Sequence, residues 1–168
     1  QLPAAGNIFD LVKGLAETDA RPVVLAQAFL GLGRVAYHEG DFARAADLIR
    51  QAADLCPEEQ ANLTVSLQAA LALAMLGLQR ENEAEALSTA AIQKTTNSHH
   101  VITNRPQIFW SHARVLQTIG QGRDAKQVLQ TAAAIVENEA KTLPTEWREG
   151  FVTAVTLHRH ILQQAALP

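Results

Sequence analysis

The chain has 168 residues, with 14 lysines and arginines against 17 aspartates and glutamates and a formal net charge of -3 at pH 7. That balance predicts no broad basic face for a phosphate backbone, so this segment is not expected to bind nucleic acid. No apolar run reaches the roughly 18 residues of a membrane span, so no membrane partner is expected.

Helical periodicity runs through almost the whole chain. Apolar residues make up 48%, alanine is abundant and hairpin signals such as Asn-Gly are missing, so we expect an all-α fold. The pattern predicts eight helices, near residues 6–17, 22–39, 42–55, 58–77, 81–97, 105–119, 122–142 and 145–165. The first residue is Gln1 rather than Met, and we expect a segment of a longer protein.

The Gly-Leu-Gly-Arg-Val-Ala stretch at residues 31–36 matches the glycine fingerprint of a dinucleotide-binding turn. That fingerprint requires a β-strand before it, so that the phosphates meet free N–H groups where a helix begins. Here Pro22 starts a helical run that continues through both glycines, which predicts close packing inside a helix. Residues 120–125 give a second match that also lacks a strand. No nucleotide or other cofactor is expected.

A 34-residue unit, residues 26–59, carries small, apolar and turn residues at regular separations: Phe29, Leu32, Gly33, Gly40, Phe42, Ala45, Ile49, Ala52 and Pro57. This set resembles the tetratricopeptide repeat. The resemblance implies a helix–turn–helix hairpin in which Gly40 makes the turn and small residues let the two helices approach.

Two further copies follow. Residues 106–142 repeat the frame, with His112 in place of the usual leucine and a long second helix, through Phe109, Ala113, Leu116, Gly120, Ala125, Leu129 and Ala132. Residues 62–96 form a degenerate copy, with Ala70, Gly77, Ala84 and Ala91 and a turn two residues longer than standard. Residues 5–18 resemble the second helix of a preceding repeat, and residues 145–166 a capping helix. The resemblance implies one domain over residues 1–168, a TPR-like, right-handed superhelical solenoid with a concave groove.

The C-terminal third is also similar to the end of the helical-repeat regions of large bacterial signalling proteins. The matching residues are Ala113, Val115, Leu116, Gly120, Arg123, Ala125, Leu129, Ala132, Ala140, Arg148, Phe151, His158, Arg159 and Ile161. In those proteins an ATPase module is linked to a cyclase, a kinase or a LuxR-type DNA-binding domain. The similarity implies a cytoplasmic regulatory or scaffold segment. Because that family often has Val-Pro where Ala154 and Val155 stand, a more continuous terminal helix is expected here.

Catalytic and metal-binding residues are not predicted. His99 and His100 lack further ligands, and His158 and His160 lie two apart on a helix and so face different ways. The glutamates within residues 81–85 lie in the first turn of a predicted helix, where they favour the helix dipole. The single Cys56 excludes an internal disulfide and has no evident histidine partner. We expect the chain not to be an enzyme.

The binding surface follows from the repeat register. In the tetratricopeptide family the first helix of each repeat lines the groove through its second, fifth, ninth, twelfth and thirteenth positions. These positions hold Gln27, Leu30, Arg34, Tyr37 and His38 in the first copy, Thr64, Leu67, Leu71, Ala74 and Met75 in the second, and Gln107, Trp110, Arg114, Gln117 and Thr118 in the third.

This set predicts an apolar floor between Arg34 and Arg114, with Trp110 beside the latter. Such a surface suits a protein or extended peptide that bears a carboxylate and a hydrophobic anchor. Family members that bind chaperone termini carry Lys and Asn where Leu30 and Arg34 stand, so chaperone binding is not expected. The alternative is that Trp110 packs between repeats and the arginines pair with acids. The chain is then a structural spacer or an oligomerisation segment, with a second copy as its partner.

Overall fold

The computed structural model of the protein describes residues 2–18, 21–98 and 102–166. Within these ranges the backbone forms nine α-helices and no β-strand, which confirms the all-α expectation. The helices are α1 (Leu2–Thr18), α2 (Pro22–His38), α3 (Phe42–Asp54), α4 (Ala61–Gly77), α5 (Glu81–Asn97), α6 (Arg105–Thr118), α7 (Gly122–Thr142), α8 (Thr145–Thr153) and α9 (Thr156–Ala165). In the part of the chain described, none is long and apolar enough to cross a lipid bilayer.

Local sequence signals set several helix boundaries. Pro22 occupies the first position of α2, where its missing N–H costs nothing. Asp41 caps α3, because its Oδ1 accepts a hydrogen bond from the backbone N–H of Arg44 at 3.0 Å. Helix α4 begins three residues later than the predicted 58, since the Gln60 N–H donates to the Pro57 carbonyl at 3.0 Å and closes a turn there.

The predicted single terminal helix over residues 145–165 is wrong. Helix α8 ends at Thr153 and α9 begins at Thr156, with the β-branched Val155 in an extended conformation between them. The break redirects the chain so that α9 packs on both α6 and α7. Ile161 is thereby fully buried, and its removal from water favours the broken form.

Three helical hairpins share one turn geometry. The residue at each turn has a positive φ: 83° at Gly40, 60° at Gln79 and 84° at Gly120. The next residue in each turn donates its N–H to a carbonyl five residues earlier, from Asp41 to Ala36, from Arg80 to Met75 and from Gln121 to Leu116, at 2.9 to 3.0 Å. These bonds satisfy carbonyl groups that the helix ends would otherwise leave free.

The middle turn lies two residues later than the sequence predicted. Gly77 is the last residue of α4, where a Cβ atom would overlap the ring of Phe42 on α3. This glycine therefore permits a close contact, and Gln79 supplies the positive φ. Ala84 follows Gln79 at the same separation that the first hairpin shows, so the expected longer turn is wrong.

Small residues let the helices approach each other. Gly31 and Gly33 lie inside α2, as expected, and not in a strand-to-helix turn. A Cβ on Gly31 would overlap the Phe9 ring of α1, and a Cβ on Gly33 would lie 2.7 Å from Cγ1 of Ile49. Each helix packs on the next one in the chain, and α2 and α6 also pack on α4.

Candidate functional site

A cavity of about 360 Å³ lies where α2, the start of α4 and the approach to α6 meet. We call it the Arg34 cavity. Its described lining residues are Phe9, Gln27, Leu30, Gly31, Arg34, Val35, His38, Gln60, Asn62, Leu63, Ser66, Thr103 and Asn104. Polar and apolar side chains thus surround one arginine, and none of these lining residues is acidic.

Arg34 is the most unusual group in this cavity. Its Nε atom is buried and has no hydrogen-bond acceptor among the described residues. Burial lowers the pKa of the Arg34 guanidinium from its ordinary value, although an arginine still carries its charge under these conditions. No described acidic side chain forms an ion pair with it. The site therefore holds a positive charge that lacks a counter-ion within the described chain.

The sequence builds this cavity by placing a glycine beneath an aromatic ring. Gly31 lets the Phe9 ring of α1 lie against α2, one helical turn before Arg34. Phe9, Leu30 and Leu63 then supply apolar walls. On the opposite side, the Asn62 Oδ1 atom accepts a hydrogen bond from the backbone N–H of Thr103 at 2.9 Å, which ties the start of α4 to the segment before α6.

Four of the five residues predicted from the first repeat copy line one cavity. Gln27, Leu30, Arg34 and His38 all line the Arg34 cavity. Tyr37 does not line it, because its ring packs 5.5 Å from the ring of Phe42, between centroids, and against the core.

The residues predicted from the middle copy lie elsewhere, because that copy was placed two residues out of register. Leu67 and Leu71, with Thr64, line a different cavity of about 500 Å³ between α3, α4 and α5. Ala74 and Met75 are fully buried in the core. With the register set by Gln79, the position equivalent to Gln27 is Ser66, and Ser66 does line the Arg34 cavity. The turn residues Gly40, Gln79 and Gly120 each precede an alanine by the same number of residues. This regular separation is the sequence signal that could have revealed the correct register of the middle copy.

A further cavity, of about 310 Å³, contains three of the five residues predicted from the third copy. We call it the Trp110 cavity. It is lined by Trp110, Ala113, Arg114, Gln117, Gly122, Ala125, Lys126, Leu129 and Gln164, from α6, α7 and α9. Gln107 and Thr118 do not line it: the Gln107 carbonyl accepts a bond from Ser111 Oγ at 2.8 Å, and the Thr118 hydroxyl donates to the Arg114 carbonyl at 3.1 Å.

Trp110 combines a packing contact with a hydrogen-bond donor that has no acceptor among the described residues. Its ring lies half-buried against the cluster formed by α6, α7 and α9. Its Nε1 atom, however, is buried without an acceptor among the described residues. The Arg114 guanidinium lies over the ring, 5.9 Å from its centroid, and forms no ion pair with a described acid.

The two predicted arginines do not face one shared floor. The Arg34 cavity and the Trp110 cavity have no lining residue in common, and the second includes residues of α7 and α9 as well as α6. The helix faces were predicted from spacing within each repeat. Which cavity each face lines depends on α1 and α9, whose packing the repeat pattern does not specify.

A buried polar pair, which the sequence did not predict, joins α5 to α6. The Nδ1 atom of His112 lies 2.9 Å from Oγ of Ser88, and both residues are buried. Burial lowers the pKa of His112, and the negative charge of Glu85 opposes that shift. The only sequence signal was the histidine that stands where the repeat has leucine.

A scan of the chain against protein-family models finds no match, and searches of curated proteins and of solved structures find none either.

The histidines considered as metal ligands have other surroundings or fall outside the described residues. His158 Nδ1 lies 3.0 Å from the Phe151 carbonyl oxygen, and its ring centroid lies 4.4 Å from that of Phe151, with the ring planes tilted by 50°. His99 and His100 lie outside the described residues. Over residues 2–18, 21–98 and 102–166, no three His, Cys, Asp or Glu side chains converge on a metal site.

Proposed function

We propose that this chain is a non-catalytic repeat module that binds an extended protein segment through the Arg34 cavity. The observation that carries the proposal is the buried Nε atom of Arg34, which has no acceptor in the described chain. Leaving a buried charged donor unsatisfied costs more than about 1 to 3 kcal/mol, so a site that retains one is suited to an incoming acceptor.

A carboxylate is the group that fits this donor best. Guanidinium and carboxylate form two parallel hydrogen bonds, and the pair is strongest where water is excluded. Side chains of Gln27, Ser66 and Asn104 also line the cavity and offer uncharged donors. No described acidic residue lines the cavity to compete for the guanidinium.

The apolar walls fit a hydrophobic side chain next to that carboxylate. Phe9, Leu30 and Leu63 line the cavity beside Arg34. A segment that places an apolar side chain against them and a carboxylate on Arg34 combines an anchor with a directional contact, as strong interface residues do.

The architecture that we propose is a TPR-like superhelical solenoid. Its support is the common turn of the three hairpins at Gly40, Gln79 and Gly120, together with the packing of α2 and α6 on α4. The resemblance of the C-terminal third suggests the context: a cytoplasmic regulatory or scaffold segment of a bacterial signalling or transcription-regulating protein.

Titration calorimetry with ATP and NAD should show no binding, because both glycine pairs lack a preceding strand in the described chain.

The test is selection from a library of short peptides, prepared once with free C-terminal carboxylates and once with amidated ends. We expect enrichment of free-carboxylate peptides with an apolar residue near the end. Arg34→Gln should weaken the selected peptides about tenfold or more. Arg44→Gln is the matched control, because Arg44 is exposed on α3 and outside the cavity. Binding by Arg34→Gln equal to that of the wild type contradicts the proposal, whereas equal binding of both peptide forms assigns the carboxylate to an Asp or Glu side chain of the peptide.

An oligomerisation segment is the second candidate, and one observation favours it. Ile8, Leu11 and Leu15 on α1 are 61, 66 and 61% exposed and share one helix face. An apolar stripe of this kind is suited to pairing with the same stripe of a second copy. Sedimentation of the wild type and of the triple Gln variant at these positions tests it. A wild-type monomer across the concentration range rules this function out.

A further inference from the structure

The Trp110 cavity differs from the Arg34 cavity in charge, volume and lining, and we propose that it binds an aromatic phosphomonoester. This inference does not rest on the proposed function, because the two cavities share no residue. It rests on three features of the cavity: its cations, a buried indole N–H, and an apolar wall.

The charge of the cavity indicates a doubly negative ligand. Arg114 and Lys126 both line it, and neither forms an ion pair with an acidic side chain in the described chain. None of the described lining residues is acidic. A phosphomonoester carries about -1.5 to -2 charges at pH 7, which balances two cations, whereas a carboxylate balances one.

The indole of Trp110, which lines the cavity, carries a hydrogen-bond donor of a second kind. Its Nε1 atom is buried and has no acceptor among the described residues. A tryptophan N–H can only donate, so the partner it lacks is an acceptor such as a phosphate oxygen. The amide groups of Gln117 and Gln164, which also line the cavity, provide two further donors.

The remaining wall is apolar and fits an aromatic ring. Ala113, Ala125 and Leu129 line the cavity together with the Trp110 ring. The volume of about 310 Å³ is at the lower end of the range for small-ligand pockets and leaves room for one ring beside the phosphate. Phenyl phosphate and a phosphotyrosine side chain share this chemistry.

The two tryptophans of the chain make the test direct. Trp110 lines the cavity, and Trp147 on α8 is 64% exposed and serves as an internal reference. In a ¹H–¹⁵N spectrum, phenyl phosphate should shift the indole resonance of Trp110 and leave that of Trp147 in place. The Trp110→Phe variant assigns the resonance. No shift of Trp110 at about 10 mM phenyl phosphate overturns the proposal.

Matched variants and ligands separate this site from general attraction to positive charge. Arg114→Gln and Lys126→Gln should each lower the affinity for phenyl phosphate about tenfold. Arg123→Gln should have no effect, because Arg123 is exposed on α7 and does not line the cavity. Benzoate should bind about tenfold more weakly than phenyl phosphate. Equal weakening by Arg123→Gln, or equal binding of benzoate, contradicts the inference.

A phosphotyrosyl peptide identifies the source of the phosphomonoester. Binding about tenfold tighter than phenyl phosphate indicates a phosphorylated protein, and equal binding indicates a small organic phosphate. Both results require the same cavity, because the Trp110 resonance must move in each. Arg34→Gln should leave both titrations unchanged, so failure here and failure of the proposed function are distinguishable.

Discussion

Gly33 of α2 faces Ala45 of α3 across the first hairpin with no room for a side chain: a Cβ atom on Gly33 would lie 3.3 Å from the Ala45 carbonyl oxygen. The same Cβ atom would lie 2.7 Å from Cγ1 of the buried Ile49. The hairpin therefore has no free volume at this crossing.

Gly33→Ala is expected to destabilise the protein by up to about 2 kcal/mol. Overpacking costs about 1 to 3 kcal/mol, and the gain in helix propensity of roughly 1 kcal/mol offsets only part of it. Gly14→Ala on α1 is the control, because an added Cβ meets nothing within 4 Å and should stabilise. Urea unfolding measures both. Ala45→Leu should also cost about 1 to 3 kcal/mol. A stabilising Gly33→Ala would contradict the close contact.

His112 should make stability depend on pH. Its pKa is lowered in the folded state by burial, against the opposing charge of Glu85, so the unfolded chain binds the proton more readily. The contribution is therefore fully present above the unfolded pKa of about 6.5 and is lost as pH falls through the lower folded pKa. The free energy of unfolding should decrease from pH 7 to pH 5.

The variant His112→Leu isolates this effect. Ser88 Oγ keeps a partner, because it also donates to the Glu85 carbonyl at 3.1 Å. The variant should unfold with a flatter pH dependence and with stability at pH 7 equal to or above that of the wild type, since leucine needs no acceptor. An unchanged pH profile would assign the titration to other groups.

Replacement of Gln79 by glycine should stabilise the fold, because Gln79 is a non-glycine residue at a φ of 60°. A left-handed backbone conformation costs an L-residue about 1 to 2 kcal/mol, and glycine avoids this cost. Glycine also increases the conformational entropy of the unfolded chain, which offsets part of the stabilisation. Gln79→Gly should stabilise by about 0.5 to 1 kcal/mol. Gly120→Gln, the reverse change at the equivalent turn, should destabilise by a similar amount. If thermal unfolding shows that Gln79→Gly destabilises the protein and Gly120→Gln stabilises it, the shared turn geometry is contradicted.

We expect the Arg34 guanidinium to contribute nothing to the free energy of unfolding. Arg34→Met keeps the aliphatic stem and removes a buried donor that has no acceptor among the described residues. The free energy of unfolding should stay equal or rise by up to about 1 kcal/mol, while carboxylate peptides are no longer bound. A loss above about 1 kcal/mol in chemical denaturation would assign Arg34 a structural role instead.

The positions of α2, α3, α5, α6 and α7 were determined by the sequence itself. Their signals are local: a proline at the start of α2, an aspartate that caps α3, and glycines at the Gly40 and Gly120 turns. Helices α5 and α7 coincide with the predicted ranges 81–97 and 122–142. Boundaries of this kind depend on groups a few residues apart, which the sequence places side by side.

Contacts between distant residues were decided by the tertiary structure alone. A glycine permits both a positive φ and a close approach, and only the Phe42 ring on another helix shows that Gly77 serves the second. The spacing placed Arg34 and Arg114 on the first helices of their repeats. Their separation into two cavities follows from α1 packing on α2 and α9 packing on α6 and α7. Burial and hydrogen-bond satisfaction, as at His112 and Ser88, depend on neighbours that local spacing does not specify.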